Sequence, residues 1–440
     1  MKSSRIASPL RRAVLLVGLA ATASCSLNDL LEVELPGRVT DEALNDPALA
    51  ATLVRSVIAD FECAWNRYVW VAAYHSDEYI EASGNLVYRN WGTRRIESTD
   101  AAMAQSTCAS LQSLYTPLQT ARFQGDDVYA RIEPLAEASF PLKAEWLATT
   151  RAYAGYALVA LGEGFCESAI DEGPILTPDE VLAQAEQRFT DAIALANQAG
   201  STDLRNMALV GRARVRLDLE NFTGARDDAS AVPDGYLKVA TRDGSEVRRF
   251  NAVCEVMNCA QPPRRDVTIA PSYRDVRWQG VPDPRVNVRT LNQAASDAVT
   301  IFYFHDKATS RADPVPIASY KEAQLILAEV AARTGDLLTA RTIINARHTL
   351  AGIPGFDPAG TATQDEVIRQ VIEERRRELF VEGGHRLNDH LRFRGTQFEI
   401  PFLGEPGSDH PAGVNHKNVP YANTTCIPLP DVERGSAPTS

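Results

Sequence analysis

Two stretches of this chain place small and large apolar residues at helical spacing, then turn back on themselves, and they constrain the fold most. In 204–219, Ala208, Leu209, Ala213 and Leu217 share one face. After a break at Asn221-Phe222, the run 223–231 sets Phe222, Ala225 and Ala229 against that face, before Pro233. Small residues at such positions let two antiparallel helices approach closely, the chemistry of a tetratricopeptide-type pair. The theme recurs in 320–334, a Gly335-Asp336 turn, and 337–349, where Ala323, Leu327, Ala328 and Ala331 meet Ala340, Ile343 and Ile344. Thr177-Pro178-Asp179-Glu180 is a capping box with proline at the first helical position. It opens a helix with Val181, Ala185, Phe189, Ala192 and Ala196 on one face, stopped by Gly200. A second box at Thr363-Gln364-Asp365-Glu366 starts a helix expected to run to about Val381. Further helical runs cover 41–60 and 142–161.

The pairs are unevenly spaced, so the expected class is mostly α, a tetratricopeptide-like helical scaffold with long loop-rich insertions and a few short strands. The insertions are 74–99, 236–304 and 393–428, poor in helical period and rich in Gly, Pro, Asn and aromatic residues. Long irregular segments inside a folded chain are commonly binding loops. Residues 299–304 carry the β-branched and aromatic character of a strand.

The N-terminus reads as an address. Lys2, Arg5, Arg11 and Arg12 precede an apolar run at 13–21, shorter than the roughly 20 residues a membrane-spanning helix needs. Thr22-Ala23-Ser24-Cys25 then resembles a bacterial lipoprotein signal, with lipid expected on Cys25. Several acyl chains there would make a stable membrane anchor. The expected organisation is a signal peptide over 1–24, an N-terminal helical region over 25–235 and a C-terminal region over 236–440. Six cysteines remain after Cys25, and an even number in an exported chain favours disulfides. Cys254 and Cys259 are close enough to close a small loop. Cys63 with Cys108 and Cys166 with Cys426 is one of several pairings open to the other four. The net charge of −12 argues against a nucleic-acid partner.

Several segments, in order, resemble the SusD/RagB family. They are Leu30-Leu31-Glu32-Val33-Glu34-Leu35-Pro36, the helix at 146–165, Asp283-Pro284-Arg285, Lys307 and the late helix at 322–329. The most specific is Glu374-Arg375-Arg376-Arg377-Glu378-Leu379-Phe380-Val381-Glu382-Gly383, with Arg386, Asp389 and Arg392 beyond, and Ile427-Pro428-Leu429-Pro430 follows. Gly384-His385 departs from the family's usual run toward arginine. The resemblance implies a non-catalytic, surface-facing outer-membrane lipoprotein that binds oligosaccharide or peptide nutrients. It further implies a SusC-type TonB-dependent transporter as partner, on which this chain acts as a lid, with no cofactor and no metal. The competing reading is a periplasmic tetratricopeptide-type scaffold lipoprotein of envelope assembly.

Glu374, Glu378 and Glu382 recur at i, i+4, with Arg375, Arg377 and Arg386 available to pair with them and Asp389 and Arg392 nearby. The cluster reads as a structural ion-pair network. A hydrolase would need two carboxylates held at different pKa values across a cleft. His75, Asp77, Glu78 and Glu81 read as a solvated face rather than a metal site. Trp65, Tyr68 and Trp70 read as core. Tyr88 and Trp91 lie in a Gly/Asn-rich segment where loop exposure is expected. Ligand contacts in the family come from this loop region and the central insertion. Carried over, that nominates Asn85, Tyr88, Trp91, Tyr273 and Trp278.

Overall fold

The computed structural model describes residues 40–434 apart from 107, 109 and 261. The signal segment, Cys25 and the 30–36 segment lie outside the described residues. The described residues open with two short 3-10 turns, Ala43–Asn45 and Pro47–Leu49. From Ala50 onward the described residues form one compact unit.

Helix α1 (Ala50–His75) enters that unit amphipathic, burying Val54, Val57 and Phe61. From Phe61 to His75 it is buried all round, which a helix tolerates only at the centre of a large core. The short helix α2 (Leu86–Gly92) and then α3 (Tyr115–Ile132) follow, and α3 packs on α1. Helix α4 (Lys143–Gly164) lies against both α1 and α3. Phe61 meets Tyr153 edge-on at 5.1 Å between ring centroids, and Trp65 meets Tyr156 likewise at 5.9 Å. Such aromatic contacts contribute about 1 kcal/mol each beyond the area buried.

Helix α5 (Pro178–Ala199) begins at the expected capping box and ends at Gly200 in the left-handed conformation. It packs between α4 and α6 (Thr202–Asp218), with Phe189 as the wedge. Glycines make room for that ring. A Cβ at Gly155 of α4 would sit 2.7 Å from Phe189, and one at Gly211 of α6 would overlap it. Helix α7 (Phe222–Ser230), capped by Asn221, closes the expected pair with α6.

The late pair, α9 (Tyr320–Thr334) and α10 (Leu337–Ala351), turns at Gly335 as expected and packs on α6 and α7. One small helix, α8 (Ala252–Met257), precedes it within the central insertion. Helix α11 (Gln364–Glu378) starts at its capping box but stops at Glu378, three residues earlier than expected. Val381, Gly383 and Gly384 then take positive φ, and α12 (His385–Arg392) starts in a new direction.

All strands are short. β1 (Tyr79–Glu81) pairs antiparallel with β5 (Val267–Ile269), and β2 (Ser168–Ala169) with β3 (Ile175–Leu176). β4 (Leu237–Ala240) pairs with β10 (Val315–Ser319), which runs directly into α9. β6 (Arg277–Trp278) with β7 (Val281–Pro282), and β8 (Val288–Ala294) with β9 (Ile301–His305), are hairpins. Three disulfides join Cys63 to Cys108, Cys166 to Cys426 and Cys254 to Cys259. Among the described residues, no helix is long and apolar enough to cross a membrane.

Candidate ligand-binding face

The three loop-rich insertions converge. Lys417 bridges Glu81 at 2.6 Å and Asp297 at 2.9 Å, tying the C-terminal insertion to the other two. The Asp297 N–H donates to the Ala82 carbonyl at 3.0 Å, and Ser83 Oγ donates to Asp266 at 2.8 Å. On the C-terminal side the Ala422 N–H donates to the Thr93 carbonyl at 2.8 Å. Arg94, buried, donates to the Thr424 and Leu403 carbonyls and pairs with Glu405. Buried polar groups are costly unless satisfied, so these bonds fix three otherwise irregular segments into one surface.

On that surface lies a cluster of half-buried rings and polar groups. The Arg274 guanidinium sits 4.1 Å over the Tyr303 ring and is held by the Ile269 carbonyl at 2.9 Å. Asp409 accepts from the Ser272 N–H at 2.8 Å. His410 and Tyr421 share a hydrogen bond of 2.6 Å, and the His410 and His416 rings stack 6.0 Å apart. His416 in turn meets the Thr300 hydroxyl at 2.7 Å. Burial and the Arg274 charge hold His410 below the usual imidazole range, against the pull of Asp409. His416 is lowered too, by burial and Lys417. Both rings are therefore neutral near pH 7, each offering one donor and one acceptor nitrogen. The β8–β9 tip beside them exposes Leu291, Val299 and Ile301. Flat rings interleaved with guanidinium, carboxylate, imidazole and hydroxyl groups can hold a ligand with apolar C–H faces and a hydroxyl periphery.

The residues nominated for ligand contact lie differently. Tyr88 and Trp91 belong to helix α2 and are 4 % and 2 % exposed, a correction to their expected loop exposure. Tyr88 packs on Trp70 and Tyr74, and the Trp91 indole donates to Asp100. Asn85 is exposed, but its side chain caps α2 by accepting from the Val87 N–H. Tyr273 is fully buried, stacked on Phe380 at 4.9 Å and donating to Asp77. Trp278 is half-buried against His348 and Phe356. Of the carried-over set, Tyr273 alone adjoins the cluster, through its neighbour Arg274. Arg274, Tyr303, His410 and Tyr421 went unnominated. Their only signal was position: polar and aromatic residues in Gly/Pro/Asn-rich insertions, without helical period.

His75, Glu78 and Glu81 are buried, not the solvated face expected. Asp77 pairs with Arg386 and lies 3.3 Å from His390. Among the described residues no group of three His, Cys, Asp or Glu side chains is arranged to hold a metal ion.

The signature cluster is a buried ion-pair network, wired differently from the expected helix-face pairs. Arg375 and Arg392 both hold Asp389 and Glu329. Arg377 joins Glu373 to Asp283, and Arg285 joins Asp283 to Glu374 and Glu378. Glu374 also receives His348 at 2.8 Å, and Glu382 lies between Lys307 and Lys321. Burial opposes ionisation of Asp389, but Arg375 and Arg392 overcome it and hold the carboxyl at about 2. The network therefore clamps α9, α11 and α12 together behind the ligand face.

Residues 306–424, which hold most of this clamp and most of the C-terminal insertion, match the model of the SusD family. Over this segment, about a quarter of the chain, the protein is similar to that family. Solved structures share its fold. A putative sugar binding protein from Bacteroides vulgatus aligns with a TM-score of 0.66 at 15 % identity, over 89 % of this chain and 96 % of that one. A SusD-like carbohydrate binding protein from Bacteroides fragilis gives 0.66 at 13 % identity, over 89 % and 98 %. A SusD superfamily protein from Parabacteroides distasonis gives 0.59 at 12 % identity, over 91 % and 98 %. No curated protein matches the sequence. In this chain the tetratricopeptide-like pairs form the scaffold, and the three insertions converge on one surface.

Proposed function

We propose that this protein captures an oligosaccharide on the face built by Arg274, Tyr303, His410 and Tyr421. The carrying observation is the convergence of all three insertions on one cluster of half-buried rings and hydrogen-bonding groups. The names of solved relatives as sugar- and carbohydrate-binding proteins support a saccharide over a peptide. Capture needs no bond-making step, which accords with a family of binding proteins. The lipoprotein signal ending at Cys25 supports tethering to the outer membrane. There the protein would act as lid on a SusC-type TonB-dependent barrel: ligand bridges lid and barrel, closure buries it, and the barrel imports it.

Calorimetric titration of the mature chain against a panel of neutral oligosaccharides and peptides tests the capture step. A binding oligosaccharide is expected to lose about 1–3 kcal/mol, or about five- to 150-fold in affinity, in Tyr303→Ala. Full affinity in both Tyr303→Ala and Tyr421→Ala would remove this face from the reading. Co-purification of the tagged lipoprotein with a large outer-membrane barrel tests the lid; capture of periplasmic assembly factors instead would favour the scaffold role.

A further inference from the structure

A cavity of about 320 Å³ opens where the first half of α1 meets the loop after β4. Arg55, Arg242, Arg248 and Arg249 line it, with Glu62 as the one acid. That balance reverses the chain as a whole, which carries 57 acidic against 45 basic residues. The cavity is separate from the saccharide face. Glu62 precedes His75, at the far end of α1, by 13 residues, about 20 Å along a helix.

Arg242 is the built element. Its side chain is 1 % exposed, and its Nε and Nη1 are buried without a hydrogen-bond partner among the described residues. Glu62 cannot satisfy them. Its Oε1 accepts from the Thr241 N–H at 2.9 Å, and its Oε2 accepts from the Thr241 hydroxyl at 2.8 Å and from Arg242 Nη2 at 3.3 Å. Arg248 pairs with Asp60, and Arg249 reaches Asp243 only at 3.7 Å. Arg67 stands near enough for its charge and that of Arg242 to oppose one another, and its Nε and Nη1 are also unpartnered. Burial pulls Arg242 down to about 10, so it remains a cation at neutral pH. A buried guanidinium with two unpartnered donors at the wall of a cavity costs free energy, and a guanidinium fork matches a tetrahedral oxoanion.

We propose that this cavity is a second binding site, for a sulfate or phosphate group, free or as an ester on a saccharide. Its size exceeds what one oxoanion fills, which leaves room for a sugar ring to carry the group. The proposal does not depend on the neutral-saccharide reading of the Tyr303 face.

The test is calorimetric titration of the mature chain with sodium sulfate and inorganic phosphate, ionic strength held constant with chloride. Saturable binding with Kd on the order of 1 mM or tighter is expected. Arg242→Met is expected to weaken it about tenfold or more, and Glu62→Gln to tighten it severalfold. Arg242 is buried, so Arg242→Met can perturb folding, and Arg248→Ala/Arg249→Ala serves beside it. Both of those side chains are about half exposed, and several-fold weakening is expected in a chain of unchanged circular dichroism. Tyr303→Ala is expected to leave oxoanion affinity intact. Glucose 6-sulfate or 6-phosphate binding about tenfold tighter than the inorganic ion identifies an ester ligand; equal affinity identifies the free ion. No saturable heat up to about 20 mM, a range covering millimolar sites, or equal affinity in the Arg248/Arg249 variant, overturns the proposal.

Discussion

Gly384 shows how one residue sets the geometry of the conserved-looking cluster. Its φ is +74°, and a Cβ there would lie 2.5 Å from the Tyr68 ring of α1. Both the left-handed backbone and the contact exclude a side chain. The departure from the family pattern at Gly384-His385 therefore has a structural use: it turns the chain from α11 into α12 and drops the His385 ring beside Arg214. Gly384→Ala is expected to destabilise by about 2 kcal/mol or more, from φ strain and overpacking together. Urea unfolding measures this. A loss below about 0.5 kcal/mol, the range of ordinary surface changes, would mean that Tyr68 and the turn relax freely. At this scale the sequence was hardest to read. Tyr88, Trp91 and Tyr273 look like ligand aromatics because aromatic residues serve cores and binding faces alike. Only the packing, Tyr88 on Trp70 and Tyr273 on Phe380, distinguishes them from the half-buried Tyr303 and Tyr421.

At the scale of elements, the C-terminal segment illustrates what a long-range tie does. The Cys166–Cys426 disulfide joins positions 260 residues apart. Beside it the Cys166 N–H donates to the Ile427 carbonyl and the Ile427 N–H donates to the Gly164 carbonyl, both at 2.9 Å. This hooks the C-terminal insertion, and with it Tyr421, to the end of α4. Cys254–Cys259 closes a loop of sequence separation 5 and constrains far less of the unfolded chain. Cys166→Ser/Cys426→Ser is expected to cost about 2–5 kcal/mol and to raise amide exchange across 420–430. Cys254→Ser/Cys259→Ser should do neither to that extent, and equal losses would defeat the argument. The helices themselves were legible because their signals are local: Thr177 and Thr363 cap as expected, and Gly200 and Gly335 stop helices as expected. The end of α11 was not legible. Glu374, Glu378 and Glu382 keep helical spacing, yet Glu382 leaves the helix to reach Lys307 and Lys321. Partners that far away in sequence leave no periodic trace.

At the scale of the whole molecule, buried histidines and raised carboxylic acids set the pH of greatest stability. Burial, with Arg94 adding to it, lowers His75 to about 3, and burial with Lys307 lowers His305 to about 3. His385 is held well below the imidazole range by burial and Arg214. Between about pH 3 and 6.5 the unfolded chain therefore binds protons that the folded one does not. Stability rises with pH there by about 1.4 kcal/mol per unit for each histidine. Burial acts oppositely on four acids, raising Glu78 to about 8, Glu322 to about 7, Asp218 well above the carboxylate range and Asp266 above its usual value. From about pH 4.5 upward these stay protonated in the fold but ionise in the unfolded chain, so each lowers stability as pH rises to its folded value. Five lowered histidines, His410 and His416 included, outweigh four raised acids below pH 6.5, and above it the acids act alone. The thermal midpoint is expected to peak near pH 6.5 and to fall between pH 7 and 8. Glu78→Gln keeps an oxygen to accept from the Val381 N–H, the bond Glu78 makes at 2.7 Å, while removing the titration. It should flatten the alkaline fall and leave the acid limb, governed by the histidines, unchanged. An alkaline fall of full size in Glu78→Gln would show that another group drives it.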